Sequence, residues 1–189
     1  MQQIRDYFEE TLKMTDEDWQ IFSSKLTKRE FPRKHILLES GNVENHLSFI
    51  ESGIARFYIP KENNDLTFSF AFANSFLSGY DSFLTRNPSL YNIETLTKTT
   101  LWQLTYENLE IIYKETQIGN ALGRQASELL FLKKSKRELS LLNDSSEERY
   151  QKLFTEQPEL IRLIPLKYIA SYIGVAPQTL SRIRRQLFL

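Results

Sequence analysis

The chain has 189 residues with no net formal charge, 41% hydrophobic residues and no cysteine. This composition is typical of a folded protein with a substantial core, and the lack of cysteine excludes disulfides, thiolate metal sites and cysteine nucleophiles. No stretch approaches the roughly 20 apolar residues of a membrane span, and the charged N-terminus has no secretory core, so we expect a cytoplasmic protein without membrane contact.

Residues 1–30 are predicted to be helical. Apolar side chains recur there at three- and four-residue steps, as in Ile4, Phe8 and Leu12. Thr15 precedes three consecutive acidic residues, an arrangement that favours a helix start because acids stabilise the positive end of the helix dipole. We interpret this segment as packing rather than chemistry.

Residues 31–104 have the period of β-strands. The stretch LTFSFAF, residues 66–72, alternates Leu or Phe with smaller side chains and predicts a half-buried strand. Turn signals separate this stretch from other short strand-like segments, at Gly41-Asn42, Ser52-Gly53, Asn63-Asn64 and Asn87-Pro88. Short strands with no helix between them predict an antiparallel roll or barrel.

A long helix is predicted from about residue 117 to 142. Its side chains at alternating four- and three-residue steps have the spacing of a coiled-coil seam. They are Ile118, Leu122, Gln125, Leu129 and Leu132. Periodicity alone favours a dimer helix and a helix lying on its own β-domain equally. The pattern breaks at residues 143–146, so we predict an α+β protein with a sensor domain over 1–143 and a small all-α domain over 144–189.

The C-terminal residues predict a helix-turn-helix. Pro165 and Pro177 mark two helix starts twelve residues apart, because proline is tolerated in the first turn. The motif needs a small residue in the first helix, a glycine in the turn and apolar residues in the second helix. Those positions hold Ala170, Gly174, Leu180 and Ile183. A helical hairpin of other function can share this spacing, so the outward face decides the interpretation.

The outward face of the second helix has side chains that suit DNA. No acidic residue follows Glu159, whereas an ordinary solvated basic face has acids interspersed. Arg bonds guanine and Gln bonds adenine in the major groove, so we assign base reading to Gln178 and Arg182. Contacts to the DNA backbone are assigned to Lys167, Thr179, Ser181 and Arg185.

The whole chain resembles the CRP/FNR family of bacterial transcription regulators. The stretch from Phe31 to Ile59 resembles the opening of that family's cyclic-nucleotide-binding-like β-roll, with turn glycines at Gly41 and Gly53. Residues 165–185 resemble its DNA-binding end. The resemblance implies a homodimer on a near-palindromic double-stranded DNA operator, and a contact with RNA polymerase.

The resemblance places an effector pocket at Gly79, Asp81, Ser82, Ser89 and Leu90. Family members that bind cyclic AMP carry a Gly-Glu pair and an Arg-Ser or Arg-Thr pair. Here the acid is displaced to Asp81, while Ser89 and Leu90 take the second pair's places without a positive charge. We therefore expect no cyclic AMP binding in the family's usual manner, and either another small-molecule effector or none.

The sequence predicts no metal site, no cofactor and no enzymatic activity. Only His35 and His46 offer strong nitrogen ligands, and no activated nucleophile or phosphate loop accompanies the carboxylates. The predicted function is sequence-specific regulation of transcription. The alternative is a ligand-binding sensor or protein-interaction module whose degenerate helix-turn-helix contacts protein.

Overall fold

The computed structural model describes residues 1–9, 12 and 14–188. The helices among these residues are α1 Gln2–Glu9, α2 Asp16–Ser24, α3 Tyr80–Thr85, α4 Tyr106–Glu115, α5 Gly119–Asn143, α6 Ser146–Glu156, α7 Pro158–Leu163, α8 Leu166–Tyr172 and α9 Pro177–Phe188. The strands are β1 Thr27–Phe31, β2 Ile36–Leu38, β3 His46–Ser52, β4 Ile54–Ile59, β5 Leu66–Phe72, β6 Phe76–Leu77, β7 Asn92–Thr95 and β8 Thr99–Thr105. Two compact units result, one formed by residues 1–60 and 69–127 and the other by 61–68 and 128–189.

The first unit is built on two four-stranded sheets, with strand orders β1-β8-β3-β6 and β2-β7-β4-β5. Antiparallel pairing joins β8 to β1 and to β3, and β7 to β2 and to β4. The predicted antiparallel roll is confirmed, and β5 coincides with the alternating stretch 66–72. Gly53 turns β3 into β4 at φ +107°, a conformation that glycine adopts without strain.

Helices cover one side of this unit and form its main core. Phe8 and Phe22 from α1 and α2 pack edge to face, and Phe49 of β3 and Ile112 of α4 complete the same cluster. Burial of such aromatic side chains supplies most of the driving force for this part of the fold. Thr15 caps α2 through the Asp18 amide, as predicted.

Two sequence expectations about this unit are wrong. Residues 27–30 are not helical, since β1 begins at Thr27 and pairs with β8 through Thr27 opposite Gln103. A helix also interrupts the strands, because α3 lies between β6 and β7. A helix of six residues is too short to show a helical period in the sequence, and its tertiary contacts stabilise it instead.

The described residues of the second unit form four helices, α6 to α9, together with the C-terminal part of α5 and residues 61–68, which connect β4 to β5 and begin β5. Ser145 and Glu148 form a capping box at the start of α6, and Pro158 opens α7. The buried side chains of this unit include Tyr150, Leu153, Leu160, Ile164, Ile169, Ala170, Ile173, Leu180 and Ile183.

Among the described residues, no helix combines the length and the hydropathy that crossing a membrane requires.

Candidate functional site

The two C-terminal helices meet at a tight turn. Ala170 of α8 is fully buried, and Leu180 and Ile183 of α9 are buried, as the sequence predicted. Gly174 lies in the turn at φ +78°, which confirms the predicted need for a positive φ. The turn is closed by the Val175 N–H, which donates to the Ala170 carbonyl at 2.9 Å. These residues therefore fix α9 against α8.

Two arginines from other helices hold the carbonyls at the end of α8. Arg137 of α5 donates to the Tyr172 carbonyl at 2.6 Å, and its guanidinium lies 3.7 Å from the centre of the Tyr172 ring. Arg149 of α6 donates through Nε to the Ile173 carbonyl at 2.9 Å. Burial lowers the pKa of Arg137 from its usual value, which shows that this cation has been drawn out of solvent.

Sequence reasoning did not identify these two arginines. Their positions in α5 and α6 give no sign of a contact with a turn 24 to 35 residues further along the chain. Because both guanidiniums complete the last turn of α8, they stabilise the point at which the chain changes direction towards α9.

The outward face of α9 is polar and basic. Gln178, Ser181, Arg182 and Arg185 are all exposed. An α-helix has 3.6 residues per turn, so these side chains lie on the side of α9 opposite the buried Leu180 and Ile183. Over residues 14–188, no ion pair engages Arg182 or Arg185 with an acidic side chain.

The remaining residues assigned to the DNA backbone lie near the starts of the two helices. Lys167 is exposed in the first turn of α8, with its ammonium 4.7 Å from the centre of the Tyr168 ring. Thr179 is half-buried in the first turn of α9. The Ser181 hydroxyl donates to the Pro177 carbonyl of its own helix at 3.1 Å. The structure therefore brings the six predicted residues onto one pair of adjacent helices.

The residues predicted for an effector pocket lie around α3. Several of them already form hydrogen bonds with other groups of the protein. The Gly79 N–H donates to a carboxylate oxygen of Glu44 at 3.2 Å, and the other oxygen accepts from the His46 N–H at 2.9 Å. The Ser82 hydroxyl accepts from the Glu44 N–H and donates to the Asn87 carbonyl. Glu44 is 6% exposed, so this carboxylate is a buried internal anion beside Gly79.

The other three predicted pocket residues differ in solvent exposure. Asp81 is exposed and accepts a short hydrogen bond from the Tyr91 hydroxyl. Burial, followed by the bond to Asp81, raises the pKa of Tyr91, so its phenol stays neutral. Ser89 is buried and donates to the Tyr91 carbonyl, whereas Leu90 is 79% exposed. Ser89 and Leu90 therefore face different environments.

Arg86 is a cation close to this region, and it is engaged within the chain. Its guanidinium donates to the Glu44 carbonyl at 2.7 Å and to the Asn45 side chain at 2.6 Å. It also lies 5.0 Å from the centre of the Tyr106 ring. Arg86 closes α3 in the left-handed conformation, at φ 57°. Its present role is to fasten the 44–45 loop to α3.

The residues predicted for the dimer seam are buried near the start of α5 and exposed further along it. Leu122 is buried in the core of the first unit, and Ile118 packs against the same cluster. Gln125 is half-buried. Leu129 and Leu132 are exposed, and exposed Phe131, Leu139 and Leu142 continue this apolar surface towards the end of the helix.

The two histidines lie in different parts of the first unit. His35 lies against the Phe31 ring at 5.0 Å, and His46 belongs to β3. The part of the chain that the structure describes contains no group of three His, Cys, Asp or Glu side chains that could hold a metal ion.

Comparison with known proteins agrees with this architecture. Residues 28–116 match the family model of the cyclic nucleotide-binding domain. A comparison with curated proteins finds none that matches the sequence.

Solved structures of bacterial regulators share the fold over nearly the whole chain. The c-di-GMP responsive global regulator CLP of Xanthomonas campestris is 16% identical with a TM-score of 0.69, and the match covers 92% of this chain and 91% of CLP. FixK2 of Bradyrhizobium japonicum is 14% identical with a TM-score of 0.73, over 86% of this chain and 84% of FixK2. A protein of Eubacterium rectale classed with the transcriptional regulators of the crp/fnr family is 17% identical with a TM-score of 0.70, over 96% and 87%.

The chain thus combines a cyclic-nucleotide-binding-like β-roll with a long helix and a helical C-terminal unit. This is the fold of the CRP/FNR transcription regulators, as the sequence resemblance predicted.

Proposed function

We propose that the protein is a homodimeric, sequence-specific DNA-binding regulator of transcription. The observation that carries this proposal is the outward face of α9, where Gln178, Arg182 and Arg185 are exposed on a helix that is anchored from behind. The absence of acidic residues after Glu159 leaves this face positive, which suits a polyanion.

Base reading is assigned to the exposed centre of this face. Gln178 and Arg182 are four residues apart and so lie on one side of α9, with the geometry needed to reach neighbouring base edges. Lys167, Thr179, Ser181 and Arg185 surround them and would contact phosphates. The adjoining residues 144–189 would then act as the DNA-binding domain, and 1–143 as the sensor with its long helix.

Dimerisation is assigned to the exposed apolar side chains of α5. Leu132 is 62% exposed and Leu142 is 75% exposed, an unfavourable state for a free helix in water. A second copy of α5 would bury them, along with Leu129 and Leu139. Such a dimer presents two recognition helices to half-sites about 34 Å apart, one turn of DNA, which predicts a near-palindromic operator.

We propose that the β-roll does not bind cyclic AMP in the family's usual manner. The Glu44 carboxylate already accepts the Gly79 N–H, and a second anion at that point would be repelled. Arg86, the nearby cation, is held by the 44–45 loop. An effector of another chemistry, or none, fits these contacts better.

The first experiment selects binding sites from a random double-stranded DNA library with no added effector. An enriched inverted repeat is expected. If a folded, dimeric protein enriches nothing, the proposal fails for the effector-free state. Affinity for the enriched site should also fall steeply between about 50 and 200 mM salt, because phosphate contacts release counterions. The interface of a protein-interaction module need not weaken so steeply with salt.

Two matched arginine variants test the assignment within α9. Arg182→Ala should weaken operator binding by about 1–3 kcal/mol and relax the preference at one base position. Arg185→Ala should weaken operator and random DNA to a similar extent and reduce the salt slope by about one. Equal losses on both DNAs for Arg182→Ala would contradict its role in base reading.

The dimer is tested by placing a charge in the apolar surface of α5. Leu132→Lys should convert dimer to monomer in sedimentation at micromolar concentration, since an unpaired ammonium cannot be buried cheaply. Lys134→Glu, at an exposed position on the side of the same helix away from Leu129, Leu132 and Leu139, is the control. A wild-type protein that sediments as a monomer would overturn this part of the proposal.

A further inference from the structure

The hydroxyl of Ser171, near the end of α8, joins two segments that are more than 100 residues apart in the chain. It accepts a hydrogen bond from the Thr67 N–H at 2.8 Å and donates one to the Asp65 carbonyl at 2.8 Å. Both bonds go to the hairpin tip, which we define as residues 61–68: most of the connection after β4 and the first three residues of β5. The Ser171 hydroxyl therefore uses both its donor hydrogen and one of its acceptor lone pairs in bonds to the hairpin tip.

Burial at the hairpin tip differs from the burial that the sequence predicts for the start of β5. Thr67 is fully buried, whereas the preceding Leu66 is 43% exposed. This is the reverse of the arrangement that the alternating sequence predicts for a half-buried strand, in which Leu66 would face the core. Contacts around Thr67 have decided which side of the strand is buried at this point.

Ser171 is followed directly by the residues that set the turn into α9. The carbonyls of Tyr172 and Ile173 are held by Arg137 and Arg149. Three consecutive residues, the last two of α8 and its C-cap Ile173, are thus fastened to three different elements of the second unit. The hairpin tip is one of these three supports.

Strand β5 carries the chain out of this contact into the first unit. Residues 66–68 belong to the second unit and residues 69–72 of the same strand to the first. A change in the sheet that contains β5 therefore reaches Thr67 through a few peptide bonds.

We propose that Ser171 is a positioning residue for DNA recognition: its two hydrogen bonds to the hairpin tip form a latch that holds the α8–α9 pair in the orientation needed to read DNA. The inference rests on the proposed function. Ser171 does not touch DNA in this scheme. It raises the population of the binding-competent orientation, so its loss lowers the apparent affinity in proportion to that population.

The expected effect is moderate and has a recognisable signature. Loss of two partly buried hydrogen bonds that reduces the competent population to between a tenth and a third weakens operator binding by about 3- to 10-fold. The slope of affinity against salt stays unchanged, because no phosphate contact is removed. This separates Ser171 from Lys167 or Arg185, whose loss lowers the slope.

The test compares Ser171→Ala with Ser171→Thr, which keeps the hydroxyl. Thr155→Val is the matched control, since the exposed Thr155 hydroxyl bonds only within its own helix, to the Lys152 carbonyl. Operator affinity at several salt concentrations and hydrogen exchange of the Thr67 amide are measured for each variant. Ser171→Ala should bind 3- to 10-fold more weakly with faster exchange at Thr67, while the other two variants resemble the wild type.

Two results would overturn the proposal. If hydrogen exchange of the Thr67 amide is unchanged in Ser171→Ala, the two hydrogen bonds do not form a latch. If exchange is faster but operator affinity stays within twofold of the wild type, the contact exists but does not position α8 and α9 for DNA binding. A wild-type protein that binds no DNA is a different failure, because it refutes the proposed function while Thr67 exchange still decides whether the latch exists.

Discussion

Gly174, in the turn between α8 and α9, allows a stability effect to be calculated from geometry alone. Gly174→Ala adds one methyl group at φ +78°. The nearest atom to that methyl is an Arg149 guanidinium nitrogen at 3.8 Å, an ordinary contact distance, so no steric overlap arises. The cost is therefore backbone strain alone, about 1–2 kcal/mol, less a few tenths regained from the unfolded chain.

Two other glycines provide matched comparisons. Gly41 also has a positive φ, +93°, and no atom lies within 4 Å of an added methyl, so Gly41→Ala should cost about the same as Gly174→Ala. Gly53 has φ +107°, but a methyl there would lie 2.7 Å from the Thr99 Cα and 2.8 Å from the Lys98 carbonyl oxygen. Backbone atoms cannot move aside easily, so Gly53→Ala should cost more than about 3 kcal/mol.

Urea unfolding at 25 °C measures all three free energies. The only two tryptophans, Trp19 and Trp102, both lie in the first unit, so their fluorescence follows that unit. Circular dichroism at 222 nm also follows the helices of the second unit. The reasoning is refuted if Gly174→Ala is neutral, or if it destabilises as strongly as Gly53→Ala.

Three further substitutions test other contacts. Arg56→Met should destabilise the first unit by about 3–5 kcal/mol in urea unfolding, because it strands the buried Glu94 carboxylate now bonded at 2.9 Å, and adding Glu94→Gln should recover part of the loss. Ser145→Ala should cost about 1 kcal/mol by removing the cap of α6, with a lower helix melting temperature as the readout. Burial lowers the pKa of His46 below its ordinary 6.5, so the unfolded chain binds the proton more readily and stability falls as the pH drops below about 6.5. His46→Gln should flatten that fall between pH 7.5 and 5.5, and an unchanged profile would show that His46 is not its source.

Local patterns predicted the elements that depend on local physics. The alternation in residues 66–72 predicted β5, and Pro177 predicted the start of α9. Gly174 has the positive φ that the turn requires. Each of these features follows from side-chain period or backbone sterics over a few residues.

Long-range contacts set the features that the sequence did not reveal. Leu66 is exposed, whereas its neighbour Thr67 is buried and bonded to Ser171 across 104 residues. Arg137 and Arg149 resemble ordinary surface cations in the sequence until the fold brings the end of α8 to them. Glu44 likewise becomes a partner of Gly79 only through a contact across 35 residues.

The discontinuous composition of the second unit constrains how such a protein can be cut or recombined. Residues 61–68 lie in the first half of the chain, yet they belong with residues 128–189. A fragment ending at Asn143 would keep the Thr67 N–H and lose the hydroxyl that accepts it, and a C-terminal fragment would keep Ser171 without its two partners. Both partners of that hydroxyl are backbone groups, so exchange of the C-terminal helices between relatives is expected to keep the two bonds wherever the hydroxyl at position 171 and the backbone path of residues 61–68 are both retained.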